Sequence, residues 1–213
     1  MVAVIAVSFP ACGPSASSTG AGTFGIPDAS SHCSGAYAGS GGDPTGTWSV
    51  VSACIEGDPV ALMNAHLTSA CPNVVRGFTV EQASGMATLG AGAITSNDAS
   101  VVVRQDRVMT STCHEAVNAT PISAQSDCDN YASSLITAVR FAFDSSCTYE
   151  NDGCTCWIKD KYTLEGSTYQ TAQNQLTVGQ DVFPYGVAGD VFTVRVRLYE
   201  TSGLQVRLQG ITR

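Results

Sequence analysis

At 213 residues, with 44% apolar and 13% charged side chains, the chain is long enough for a domain with its own core rather than a minimal disulfide knot. Ten basic against eighteen acidic residues give a net charge of −8, and Lys159 and Lys161 are the only lysines. Binding of nucleic acid, or of an anionic membrane through a basic patch, is thereby disfavoured. The cysteines number nine, so in an exported protein one must be free, shared between chains or chemically used.

The N-terminus supplies a use for the odd cysteine. Val2 to Phe9 is a short apolar run, Pro10 and Ala11 precede Cys12, and a Gly/Ser/Ala-rich stretch follows. The run is far short of the ~20 apolar residues a spanning helix needs, and no later stretch approaches that length. With a cysteine at the junction, the segment resembles a bacterial lipoprotein signal, which implies acylation of Cys12. Residues 1–11 are then signal-like and 12–42 a flexible linker, with the natural start expected upstream of Met1 because no Lys or Arg precedes the apolar run. Any membrane association is expected through that lipid alone.

Eight cysteines remain: Cys33, Cys54, Cys71, Cys113, Cys128, Cys147, Cys154 and Cys156. An even set in an oxidising compartment reads as up to four disulfides, although eight cysteines allow 105 pairings. Loop closure favours Cys54 with Cys71, Cys113 with Cys128, and Cys147 with Cys154 or Cys156, Cys33 taking the remaining partner.

In chain order, Thr47 to Cys54 alternates as a strand with Trp48, Val50 and Cys54 on one face. Asp58 as N-cap and Pro59 at the first position open a helix running to about Ala70. The Gly/Ala-rich stretch from Ala83 to Ser96 gives no clear element and reads as a loop. Asn97-Asp98 turns into a strand over Ala99 to Val108, and Asp127 to Ser134 reads as helical. Leu135 to Phe143 reads as a strand, with Leu135, Val139, Phe141 and Phe143 on one face. Asn151-Asp152-Gly153 leads into a strand from Cys154 to Leu164, and Gly166 to Val178 reads as two short strands joined near Gln173-Asn174. The last hairpin is the clearest: Phe192, Val194, Val196 and Leu198 alternate with polar residues, Glu200 to Gly203 turn, and Leu204, Val206 and Leu208 alternate again. Many short strands with turns between them indicate an all-β sandwich or barrel with one or two short helices.

Gly46-Thr47-Trp48, after Asp43-Pro44, resembles the Gly-x-Trp signature that opens the barrel of lipocalins and other calycins. Cys147, Asp152-Gly153-Cys154-Thr155-Cys156, Gly166-Ser167-Thr168-Tyr169 and Asn174-Gln175-Leu176-Thr177, in that order, resemble the secreted lipocalin-like lipoproteins of myxobacteria and related bacteria. The resemblance covers roughly residues 43–213 and implies a disulfide-stapled, antiparallel up-and-down barrel, exported to the cell envelope or beyond.

Such a barrel holds either one small ligand or a packed core. The candidate lining is Trp48, Val50, Val139, Phe141, Phe143, Phe192, Val194, Val196, Val206 and Leu208, which suits a small hydrophobic molecule or lipid. A non-catalytic, envelope-tethered binder is expected; the alternative is a structural or interaction module with a solid barrel that works through loops such as Ala83 to Ser96. Catalysis finds little support. Cys113-His114-Glu115 invites a thiol-nucleophile reading, but neighbours on a strand face opposite ways. Cys147, Cys154 and Cys156 lack the second knuckle of a zinc site, and Asp127, Asp129 and Asn130 lack the closing Glu of a calcium loop. No phosphate loop or nucleophile elbow occurs, so no metal, cofactor or catalytic residue is expected.

Overall fold

The computed structural model of the chain describes residues 32–33, 37–65, 71–139, 141–163, 167–199 and 202–211. Cys12 and the signal-like segment 1–11 lie outside them. The elements follow in the order β1 (Gly46–Glu56), α1 (Pro59–Ala65), β2 (Val75–Gly90), β3 (Ala93–Thr110), α2 (Ser111–Asn118), α3 (Gln125–Ala138), β4 (Ala142–Glu150), β5 (Gly153–Thr163), β6 (Ser167–Ala172), β7 (Gln175–Val178), β8 (Asp181–Ala188), β9 (Val191–Tyr199) and β10 (Ser202–Gly210). The protein is thus mostly antiparallel β-sheet with four disulfides. No described helix is long and apolar enough to cross a membrane. The segment 43–213, expected as one barrel, falls into two compact units. The first runs to Gly57, resumes over Val80–Val101 and again from Thr163; the second comprises Asp58–Thr79 and Val102–Tyr162.

In the first unit the strands are hydrogen-bonded in the order β2-β1-β10-β9-β8-β7-β6-β3, with β2 also paired to β3. Short turns set these pairings. Ala91 and Gly92, both at positive φ, close the β2–β3 hairpin with a two-residue turn whose twist matches the flanking strands. The Gly/Ala-rich stretch read as a loop is therefore the tip of two long strands. Small side chains left no alternation to read there, and Gly85, at φ +90°, runs so close to Asp98 that a Cβ would lie 2.1 Å from its carbonyl oxygen. The C-terminal hairpin forms as expected, with Leu204 opposite Val196 and Val206 opposite Val194, but β10 begins at Ser202, inside the expected turn. In β1 a bulge between Val50 and Ser52 advances the register against β10, so Ala53 and Ile55 are buried where strict alternation would expose them.

The end of the expected linker is built into this unit. Cys33 bonds to Cys54. The amides of Ser40 and Gly41 donate to Tyr185 O, each at 2.9 Å, and Val187 N donates to Gly41 O at 2.8 Å. Glu56, only 3% exposed, accepts from Tyr37 N at 2.7 Å and from the side chains of Arg195 and Gln205. A carboxylate tolerates such burial because charged and neutral donors replace its lost water.

In the second unit β3 pairs with β5, and β5 with β4, whose hairpin turns on Asn151 and Asp152. Helix α1 starts as expected, Asp58 accepting from Ala61 N at 2.9 Å. It ends at Ala65, and its expected continuation over 66–70 lies outside the described residues. Leu135 to Phe143 is not a strand. Leu135 sits on α3, which runs to Ala138, and β4 begins only at Ala142. Leu135 together with Cys128 and Ala132 forms the buried stripe of that helix, so an i, i+3/i+4 pattern there was read with the wrong period. Cys113-His114-Glu115 likewise belongs to a helix, α2, which Thr110 caps by accepting from Cys113 N at 3.2 Å.

The disulfides join Cys33–Cys54, Cys71–Cys113, Cys128–Cys154 and Cys147–Cys156. Of the expected pairs only Cys147 with Cys156 stands: these two lie directly opposite each other in the β4–β5 hairpin. Cys54–Cys71 and Cys113–Cys128 are replaced: Cys113 on α2 bonds to Cys71, just before β2, and Cys128 on α3 bonds to Cys154 on β5. Cys71, Cys113, Cys128, Cys147, Cys154 and Cys156 pack with Val74, Met109, Leu135 and Ile158 into one buried cluster.

Candidate functional site

The expected cavity lining divides between the units. In the first, Trp48, Val50, Phe192, Val194 and Val196 are each no more than 6% exposed. The rings of Trp48 and Phe192 lie 5.4 Å apart, and that of Tyr185 meets Phe192 edge-on at 6.1 Å. Trp48 Nε1 donates to Pro44 O at 2.8 Å and Tyr185 OH to Gly42 O at 2.6 Å, so the polar tips of these aromatics are satisfied within the fold. Val206 and Leu208 pair with Val194 and Phe192 across the β9–β10 ladder; their side chains lie outside the described residues. In the second unit Val139 and Phe141 are half-buried, with Phe141 against Tyr162 at 5.2 Å, while Phe143 is 50% exposed and belongs to neither core nor cavity.

The second unit contains a cleft of about 620 Å³. Its floor is Val74, Arg107 and Met109, with the Cys71–Cys113 disulfide alongside; α2 contributes His114 and Val117, and α3 contributes Tyr131, Ser134 and Leu135. The helices stand where they do because the Cys71–Cys113 and Cys128–Cys154 disulfides fasten α2 and α3 to other elements of the unit. The residue after Asn118, Ala119, is in the left-handed conformation and closes α2. At the start of α3 the Asp127 carboxylate accepts from Ser123 N at 2.7 Å, Ser123 Oγ at 3.0 Å and Ala124 N at 3.0 Å. Those hydrogen bonds hold its pKa below the usual carboxylate value.

Among the described residues, Arg107 is the one Lys or Arg that lines the cleft. Its Nε donates to Gln105 Oε1, and its positive charge acts on the Tyr131 phenol. Burial raises the Tyr131 pKa and Arg107 partly offsets this, so the phenol stays protonated at neutral pH. His114 packs edge-on against Tyr131, ring centroids 6.1 Å apart, with Nδ1 2.7 Å from Thr120 O. A carbonyl can only accept, so Nδ1 carries the proton in the neutral ring and Nε2 is its acceptor. On β5, Asp160 shares a buried face with Cys154, Cys156, Ile158 and Tyr162 and is 7% exposed. Its Oδ1 has no hydrogen-bond partner among the described residues. Burial pushes the carboxyl up to about 6, with the charge of Arg107 pulling the other way.

Cys113, once considered as a nucleophile, is bonded to Cys71 and holds no free thiol. Cys147, Cys154 and Cys156 are likewise in disulfides, and the described residues contain no group of three potential metal ligands. Arg107, Tyr131 and Asp160 were not singled out by sequence reasoning. For Asp160 a signal existed, a charge in phase with the apolar side of an alternating strand; for Arg107 and Tyr131 none did, because the cleft is made by helix placement. Comparison with protein-family models, with curated proteins and with solved structures finds no match for this chain.

Proposed function

We propose that the protein is a non-catalytic binding module, exported to the cell envelope or beyond and tethered through Cys12, in which a small apolar molecule occupies the cleft of the second unit. The first unit would be an eight-stranded closed barrel with a solid core, serving as scaffold. The cleft carries this reading. At about 620 Å³ it falls within the ~300–1,000 Å³ typical of ligand sites, and it combines apolar lining residues such as Val74, Met109 and Leu135 with a few polar groups of shifted pKa. Closure of the barrel is supported by the β2–β3 pairing added to the order that ends on those two strands. A solid core is favoured over a ligand cavity by the mutual packing of Trp48, Tyr185 and Phe192. Export is supported by four disulfides, a number that suits an oxidising compartment.

The test is saturable binding of the neutral apolar dye Nile red to the native protein and to Ser134→Trp, which fills the cleft from an exposed helix position. Binding by the native protein and its loss in the variant are expected. Absence of saturable binding, or binding indifferent to the substitution, overturns the assignment of the cleft.

A further inference from the structure

The cleft's apolar surfaces explain why a hydrophobic molecule would enter it, but not why an arginine lies at its floor. Arg107 stands on β3 two residues from Met109, half-buried, beside the buried Val74 and Leu135. Placing a guanidinium there costs solvation, and the penalty is met when the charge is paired. Its hydrogen-bond partner Gln105 and the nearby phenol of Tyr131 are both neutral. The lining carboxylate, Asp127, is already committed to Ser123 and Ala124 at the start of α3. Asp160 feels the charge of Arg107, yet burial keeps its carboxyl near pH 6 rather than in the range of a tight ion pair. Among the described residues the cleft therefore holds one permanent cation, whose hydrogen bond to Gln105 leaves part of its five-donor fork for another acceptor.

Building on the cleft as the binding site, we propose that its ligand is an apolar carboxylate: the acid group docks on the Arg107 guanidinium beside the Tyr131 hydroxyl, and the hydrocarbon body lies along Val74, Met109 and Leu135. A carboxylate matches the planar fork with two parallel N–H···O bonds, which a hydroxyl does not. The phenol of Tyr131 adds a neutral donor on the same wall. Tyr131 lines the cleft together with Arg107, so its hydroxyl serves as a donor to the ligand.

Calorimetric titration of the folded, disulfide-intact protein with octanoate and with octanol isolates the head group, because the two share a chain length. Octanoate is expected to bind about tenfold to a hundredfold more tightly than octanol, the range of a charge-assisted hydrogen bond. Arg107→Gln should bring the two affinities together, and Arg107→Lys should restore only part of the difference. The native-protein comparison decides the matter even if Arg107→Gln does not fold. Equal binding of the two probes, both abolished by Ser134→Trp, overturns the carboxylate assignment and leaves the cleft as an apolar site. Octyl sulfate binding as tightly as octanoate overturns the preference for a carboxylate over other anions. No binding of either probe, or binding untouched by Ser134→Trp, overturns the cleft itself.

Discussion

Asp160→Asn is expected to stabilise the protein at neutral pH. The side chain is 7% exposed on the buried face of β5, with Oδ1 lacking a hydrogen-bond partner among the described residues. Two effects oppose each other there: loss of water disfavours the carboxylate, and the positive charge of Arg107 favours it. Desolvation wins, moving the carboxyl from 3.8 to about 6. The folded protein thus holds a proton that the unfolded chain releases between about pH 4 and 6. For an acid raised in this way, the stabilising contribution is fully present below the unfolded value and is lost as pH rises through the folded one. A displacement of about two pH units corresponds to on the order of 3 kcal/mol lost by pH 7. Asparagine has nearly the same shape and carries no charge, so it escapes that loss. Urea unfolding at about pH 4 and pH 7 measures the difference: the variant should gain on the native protein by up to ~3 kcal/mol at the higher pH and little at the lower, with the m-value unchanged. A variant less stable than the native protein at pH 7 would refute the reasoning and show that pairing with Arg107 outweighs burial. A gain independent of pH would refute it as well, since the effect would then not come from ionisation.

Gly85→Ala should destabilise by about 1–3 kcal/mol, because φ is +90° and the new Cβ would meet the Asp98 carbonyl oxygen at 2.1 Å; a thermal midpoint equal to that of the native protein would contradict the close approach. The Cys71–Cys113 bridge closes a separation of 42 residues and Cys147–Cys156 only 9. Replacing both cysteines of the first by serine should cost about 4 kcal/mol and of the second about 3 kcal/mol by loop entropy, so denaturation that finds the shorter bridge the more costly would point to an enthalpic role in the hairpin. Cys12→Ser should move the protein from the membrane to the soluble fraction, and unchanged fractionation ends the anchor proposal.

Elements governed by short-range signals were legible in the sequence. The β9–β10 hairpin could be read from its alternation, the β6–β7 turn from Gln173-Asn174 and the start of α1 from Asp58-Pro59, because each depends on residues a few positions apart. Misreadings arose where two periods compete. Leu135, Val139 and Phe143 recur at every fourth residue, which fits a strand face and a helix face alike; Leu135 lies on α3, Val139 caps its end and Phe143 is on β4. Ala83 to Ser96 failed for the opposite reason: glycine and alanine carry too little apolar contrast to show any period, although the segment forms parts of the two longest strands.

The sequence by itself determined an antiparallel β-rich, disulfide-stapled protein and narrowed one bridge to Cys147 with Cys154 or Cys156, between which the hairpin register chose Cys156. Backbone preference and side-chain period act within a few residues, and both partners of that bridge lie within their reach. Only the tertiary structure decided the other three bridges, the separation into two units, and the meeting of Arg107, His114 and Tyr131 around one cleft. Loop closure costs little more for a long separation than for a short one, so spacing hardly favours one distant partner over another. The choice falls to packing: α3 buries Cys128, Ala132 and Leu135, and α2 buries Cys113, in the disulfide cluster, while His114 and Tyr131 line a common cleft.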